Sequence, residues 1–98
     1  MIRAMAVLTA EEHPNADRLR VYTLSAGENV TVTQVCANLT NVYQVGDIVA
    51  VCEVDHDCGD FTIAARKVRG VLSEGMMIGT VDATVGQDVT EDFTDFEY

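Results

Sequence analysis

Short β-branched segments separated by turn residues limit the fold of this chain more than any other feature. Valine occurs fifteen times against five leucines, and threonine occurs ten times. Valine and threonine favour strands, because their branched side chains lose conformational freedom in a helix. No segment sustains an apolar i, i+3, i+4, i+7 pattern, so no long amphipathic helix is predicted. The sequence therefore predicts an all-β protein.

Six segments are predicted as strands, from alternation or from apolar runs bounded by Gly, Pro, Asn or Asp. The run 48–54 is apolar nearly throughout, so we expect it to be buried on much of both faces. Arg18 and Arg20 alternate with Leu19 and Val21, which predicts that both arginines face outward. The six segments are 2–9, 18–25, 30–36, 48–54, 61–65 and 76–81.

The length of 98 residues corresponds to one domain, 1–98, with a single core. Five or so short strands without a repeat or linker indicate a small closed or partly open barrel. A five-stranded oligonucleotide-binding (OB) Greek-key barrel is the leading candidate, with a sandwich or an SH3-like barrel as alternatives. Residues 88–98 form an acidic tail that we expect to pack loosely.

The net charge and the cysteine content limit the classes of function that this chain can have. Sixteen acids against six cations give a net charge of −10, which is unusual for a general nucleic-acid binder. Cys36, Cys52 and Cys58 include no C-x-x-C pair and are predicted to be reduced thiols. No apolar run reaches the roughly 20 residues of a membrane span, and the N-terminus lacks a signal-peptide pattern. We therefore expect a soluble cytoplasmic protein.

One short stretch of this acidic chain is strongly basic. Arg66, Lys67 and Arg69 are half of the six cationic residues and fall within four positions. They predict a local anion site, although a solvated basic turn explains the charge equally well. On an extended backbone Lys67 and Arg69 would share one face and address successive phosphates. Any RNA contact is expected to be confined to this region and to the face of Arg18.

Two segments resemble the signatures of a known family. His13-Pro14-Asn15-Ala16-Asp17-Arg18-Leu19 is similar to the first signature of the tRNA-binding domain family, and Lys67-Val68-Arg69-Gly70-Val71-Leu72-Ser73-Glu74-Gly75-Met76 is similar to the second. This family is a group of OB folds that includes free-standing tRNA-binding proteins and domains appended to methionyl- and phenylalanyl-tRNA synthetases. The same segments, with residues 44–51, also resemble an OB domain found at the start of certain RNA ligases.

The resemblance implies a surface that reads the shape of a folded tRNA rather than its base sequence. Ser73 would donate to a phosphate or ribose oxygen, and Met76 would give an adaptable apolar contact. Gly70, Val71 and Gly75 have a structural alternative, as determinants of the fold. Asn15 would equally serve to cap a turn. The RNA-binding residues implied by the resemblance are Asn15, Arg18, Lys67, Arg69, Ser73 and Met76.

Other chemistry finds little support in the sequence. The Asp, His and Cys residues in 55–60 lack a second group of ligands elsewhere in the chain, so no metal site or cofactor is predicted. No catalytic residue is predicted either.

The first function hypothesis is an RNA-binding module that recognises tRNA or another structured RNA. The alternative is a protein-interaction OB module that docks onto a synthetase or RNA ligase and has lost independent RNA binding. Independent tRNA binders of this family carry more lysines and a C-terminal extension that builds a dimer, so homodimer formation is left open.

Overall fold

A computed structural model describes residues 1–16, 18–27, 30–37 and 43–97 of the chain. Within these ranges the regular structure consists of seven strands and one short 3₁₀ helix, Thr90–Phe93. The strands are β1 (Ile2–Glu12), β2 (Leu19–Gly27), β3 (Val30–Ala37), β4 (Ile48–Cys52), β5 (Arg66–Val68), β6 (Val71–Ser73) and β7 (Met76–Thr80).

Five of the strands form one antiparallel sheet in the order β3-β2-β1-β4-β7. β1 is the shared central strand, since residues 2–6 pair with β4 and residues 6–12 pair with β2. A register shift between Val7 and Thr9 marks a β-bulge, which increases the local twist. This arrangement is that of an OB-like barrel, so the predicted all-β, five-stranded fold is confirmed.

The barrel is not closed by a strand ladder between β3 and β7 in the described part of the chain. Individual hydrogen bonds span the seam instead. The amide of Glu74 donates to the carbonyl of Thr33 at 2.7 Å, and the amide of Met77 donates to Oε1 of the buried Gln34 at 2.6 Å. A side-chain amide thus takes the place of one rung of the ladder.

β4 divides the core into two clusters. Val49 and Val51 pack with Tyr22 and Leu24 on one side of the sheet. Ala50 and Cys52 pack on the other side, where the second cluster also contains Ile2, Ala4, Ile63 and Val89. Successive residues of a strand point to opposite faces, so β4 is buried on both, as predicted from its continuous apolar run.

The predicted strand at 61–65 is wrong. The described residues there contribute only an isolated bridge between Asp57 and Thr62. The segment folds back on the acidic loop, where the amide of Ile63 donates to the carbonyl of His56 and the amide of Asp55 donates to the carbonyl of Ile63. Because these backbone groups bond to the acidic loop, the segment forms no ladder with another strand in the described part of the chain.

The predicted outward orientation of Arg20 is also wrong, whereas Arg18 is exposed as expected. Arg20 lies on the same face of β2 as Tyr22 and Leu24, which are fully buried. Its Nε is buried and has no hydrogen-bond partner among the described residues. The larger apolar side chains of β2 determine which face turns inward, and Arg20 follows that face.

The first residues of the acidic tail, Val89 and Thr90, pack on the barrel. The side chain of Val89 is 2 % exposed and belongs to the second cluster. Its amide donates to the carbonyl of Ile2 at 2.9 Å, and the amide of Ile2 donates to Oγ1 of Thr90 at 2.9 Å. These bonds extend the pairing at the first residue of β1.

In the described ranges no helix has the length and apolarity to cross a membrane.

Candidate functional site

The basic stretch forms a tight β-hairpin. β5 and β6 pair with Arg66 opposite Ser73, Lys67 opposite Leu72 and Val68 opposite Val71. Arg69 and Gly70 are the two turn residues, with φ values of +51° and +90°. Two successive positive φ values are typical of a type I′ turn, which matches the twist of the flanking strands. Gly70 adopts this conformation at little steric cost, whereas Arg69 is a non-glycine residue in the left-handed region.

The turn of the hairpin is held by the loop that follows β1. His13 is 5 % exposed, its Nδ1 accepts the amide hydrogen of Asn15 at 2.9 Å, and its Nε2 donates to the carbonyl of Val68 at 2.9 Å. The first bond requires an unprotonated Nδ1, so the ring is the neutral Nε2–H tautomer. The side chain of Asn15 also donates to the carbonyl of Arg69, at a longer 3.4 Å. The two sequence signatures therefore meet in space through His13 and Asn15.

His13 is the functional-site residue that sequence reasoning missed. The sequence analysis assigned no RNA-binding role to His13, because its partner Val68 is 55 positions away. The only available signal was its place two residues before Asn15.

A first groove lies beside this contact. It has a volume of about 480 Å³ and is lined by Asn15, Ala16, Arg18, Leu19 and Arg69; we call it the Arg18–Arg69 groove. Arg18 and Arg69 are both exposed, and none of the described lining residues is acidic. Two guanidinium groups and one side-chain amide supply only positively charged or neutral donors, a combination suited to phosphate oxygens.

A second groove lies on one face of the hairpin and holds two further predicted residues, Ser73 and Met76. It has a volume of about 490 Å³, and we call it the Phe61 groove. Ser73 is only 8 % exposed, so its hydroxyl presents little surface to a ligand. The groove is lined by Gln34, Phe61, Thr62, Ile63, Ala64, Arg66, Val68, Ser73, Gly75 and Met76.

Lys67 lines neither groove. Its cross-strand partner is the exposed Leu72, and strand alternation places this pair on the face opposite Arg66 and Ser73. The expectation that Lys67 and Arg69 share a strand face is wrong, because β5 ends at Val68 and Arg69 belongs to the turn. The six predicted residues are thus divided among two grooves and one outer face.

Comparison with known proteins identifies the family. The model of the family described as "Putative tRNA binding domain" matches residues 2–95. The chain belongs to this tRNA-binding domain family. It is 34 % identical over 85 residues to the phenylalanine–tRNA ligase beta subunit of Syntrophus aciditrophicus, and 37 % identical over 84 residues to that of Bacteroides thetaiotaomicron. These matches cover 86 % and 84 % of this chain but about a tenth of each relative.

Among solved structures, an RNA ligase shares this fold. An RNA ligase of Naegleria gruberi superimposes with a TM-score of 0.69 at 16 % sequence identity, and the match covers 93 % of this chain and 33 % of the ligase. At that identity the likeness is one of fold alone. The resemblance to the tRNA-binding domain family is confirmed over nearly the whole chain.

Outside the grooves, the tRNA-binding domain carries a second polar cluster in the loop 55–60. Oδ1 of Asp57 accepts the amide hydrogen of Gly59 at 2.8 Å, which closes a local turn. Burial raises the pKa of the Cys58 thiol, and the carboxylate of Asp57 raises it further. Burial also lowers the pKa of His56. Both shifts favour the uncharged groups at neutral pH, and a protonated thiol is a weak nucleophile.

Proposed function

We propose that this domain binds tRNA, or another structured RNA, at the turn of the β5–β6 hairpin and catalyses no reaction on it. Membership of the tRNA-binding domain family supports this assignment. The relatives are phenylalanine–tRNA ligase beta subunits, of which the chain spans about a tenth. We therefore include in the proposal that a larger synthetase or RNA-processing enzyme is the partner of the domain.

The Arg18–Arg69 groove is the observation that carries the proposal. In a chain of net charge −10, two of the six cations line one groove together with the amide of Asn15. A guanidinium presents planar donors that match phosphate geometry, and it remains charged at all physiological pH values. Such contacts fix the position of an RNA backbone without reading its sequence.

The backbone of Arg69 gives a second argument. A left-handed conformation costs a non-glycine residue about 1 kcal/mol relative to glycine, and Asn tolerates it better than Arg. Arg69 nevertheless occupies this position, with its carbonyl bonded to Asn15. A charged side chain at the tip of a tight turn projects away from the sheet, where an RNA backbone can reach it.

The test is the binding of bulk tRNA at several salt concentrations. With two or three phosphate contacts, the slope of log K against log salt should be about −2 to −3. The double variant Arg18→Gln with Arg69→Asn should reduce this slope by about 2, because each removed phosphate contact accounts for about 1. Arg3→Gln is the control with one fewer cation, since Arg3 pairs with Glu53 near the other end of β1.

Arg69→Asn alone separates binding from stability. Asn-Gly is a preferred type I′ pair, so the variant should be as stable as the wild type or more stable by about 0.5 kcal/mol. Its affinity for tRNA should nevertheless fall. A denaturant series measures the first quantity and the salt series the second.

Two results would overturn the proposal. One is the absence of detectable tRNA binding by the wild type at low salt. The other is a change in log K for Arg3→Gln that is half of that for the double variant, because each removed positive charge would then count equally wherever it lies.

A further inference from the structure

The phosphate contacts proposed above do not involve the Phe61 groove, whose lining includes exposed and half-buried apolar side chains. Phe61 is 45 % exposed, an unusual position for a phenylalanine, and it lines the groove together with residues of the hairpin. Met76 is half-buried in the same groove. These two side chains give the groove an aromatic surface and a polarisable apolar one.

Strand alternation places the positive charge of Arg66 on the face of the hairpin that lines the groove. Arg66 and Val68 point to the same face of β5, and Ser73 is the cross-strand partner of Arg66. All three line the groove, whereas Lys67 and Leu72 do not. Arg66 is exposed and is the one cation among the described lining residues, none of which is acidic.

We propose that the Phe61 groove is a pocket for one unpaired RNA base, which stacks on Phe61 and contacts Met76 while Arg66 binds the adjacent phosphate. Single-stranded nucleic acids are commonly bound in this way, by aromatic side chains beside a cation. The volume of about 490 Å³ falls within the range of roughly 300–1,000 Å³ typical of small-ligand sites. The groove therefore accommodates a nucleotide but not a duplex.

The two grooves lie along one hairpin and have no described lining residue in common. Arg66 begins β5 and Arg69 is in its turn, three residues further on, so their backbones lie at most about 10 Å apart. An RNA whose backbone lies in the Arg18–Arg69 groove would thus place a neighbouring unpaired nucleotide at Phe61. This inference rests on the proposed function and adds the kind of RNA element recognised: a base free of pairing beside a folded stem.

The experiment compares two RNAs that have the same hairpin stem. One is blunt, and the other carries a single-stranded 3′ overhang of four nucleotides that contains 2-aminopurine. The wild type should bind the overhang RNA more tightly and quench the 2-aminopurine fluorescence, because stacking on an aromatic ring quenches it. Phe61→Leu keeps an apolar side chain and removes the ring. It should lower affinity for the overhang RNA by about 5-fold or more and leave the blunt RNA unaffected.

Phe96→Leu is the matched control, since Phe96 is 36 % exposed and packs edge-to-face on Phe93, outside both grooves. It should leave both affinities unchanged. Arg66→Gln is a second variant that retains the ring. It should weaken binding of the overhang RNA and reduce the salt slope for that RNA by about 1.

The outcomes distinguish this inference from the proposed function. If the wild type binds both RNAs equally without quenching, or if Phe61→Leu and Arg66→Gln leave overhang binding unchanged, the base pocket is overturned. The proposed function then still stands on the Arg18 and Arg69 variants. If the wild type binds neither RNA, nor bulk tRNA, both proposals fall.

Discussion

His13 donates a hydrogen bond from Nε2 to the carbonyl of Val68 at 2.9 Å, across a sequence separation of 55 residues. The same ring accepts the amide hydrogen of Asn15 through Nδ1. Because one imidazole satisfies backbone groups of both segments, it fixes the position of Asn15 relative to the hairpin turn. The geometry of the Arg18–Arg69 groove therefore depends on a side chain that does not line it.

Replacing His13 with alanine should loosen this junction. The variant removes a buried ring together with its two partly buried hydrogen bonds, and a typical hydrogen bond contributes roughly 0.5–1.5 kcal/mol. We expect a loss of about 2 kcal/mol in the free energy of unfolding and a lower affinity for tRNA. Denaturant unfolding measures the loss, and faster hydrogen exchange of the amides in β5 and β6 locates it.

The other histidine supplies the control for this prediction. His56 lies in the acidic loop rather than at the junction, so His56→Ala should leave hydrogen exchange in the hairpin and tRNA affinity unchanged. Equal exchange rates in the wild type and in His13→Ala would show that His13 does not hold the hairpin.

Gly75, between β6 and β7, is expected to tolerate substitution by alanine poorly. It has a φ of +85°, and an added Cβ would lie 3.0 Å from the carbonyl oxygen of Cys52 and 3.1 Å from Cγ1 of Val51. Both neighbours belong to the buried strand β4, so neither can move easily. Gly75→Ala should therefore add the cost of overpacking, roughly 1–3 kcal/mol, to about 1 kcal/mol of backbone strain.

Gly46→Ala isolates the backbone part of that cost. Gly46 has a φ of +97°, and an added Cβ would meet no atom within 4 Å. It should lose only about 1 kcal/mol, and thermal or denaturant unfolding of both variants gives the comparison. Equal losses in the two variants would show that the packing around Gly75 relaxes.

Asp88 is expected to make the anchored tail sensitive to acid. Its Oδ1 accepts the hydroxyl of Thr90 at 2.6 Å and the amide of Thr90 at 2.9 Å. These hydrogen bonds hold the pKa of Asp88 below its usual value. Since the folded pKa lies below the unfolded one, the stabilisation is present above the unfolded pKa and is lost as pH falls through the folded pKa.

Removing the hydroxyl of Thr90 tests this assignment. In Thr90→Val the pKa of Asp88 should rise towards the usual value, as followed by an NMR titration of the carboxyl carbon. Thr94→Val removes an exposed hydroxyl just beyond the 3₁₀ helix and should not change it. An unaltered pKa of Asp88 in Thr90→Val would show that this hydrogen bond does not cause the shift.

Most of the sheet could be predicted because its strands carry local signals. The β-branched alternation of β2 and β3 and the continuous apolar run of β4 placed these strands to within a few residues. Residues 61–65 carried a similar apolar signal, but the strand predicted there does not form, because a strand also needs a partner strand. Their backbone bonds to the loop 55–58, a choice that depends on tertiary contacts rather than on propensity.

Prediction of the site succeeded for the segments but not for their geometry. The two signatures located the loop 13–19 and the hairpin region, and the structure brings them together at Asn15 and Arg69. Spacing along an extended strand suggested that Lys67 and Arg69 act together. A two-residue turn interrupts that spacing and places Arg69 beside Arg18.

The sequence by itself determined the β-class, the doubly buried strand β4, the concentration of cations at 66–69 and the family. The first three follow from residue types and near-neighbour spacing, and the family was indicated by the resemblance of two segments to known signatures. Only the tertiary structure decided that His13 joins the two signatures, that Arg20 turns inward with Tyr22 and Leu24, and that Arg66 lines the Phe61 groove while Lys67 does not. The physical reason is that these outcomes depend on which backbone groups and faces meet across tens of residues, and no local pattern encodes that pairing.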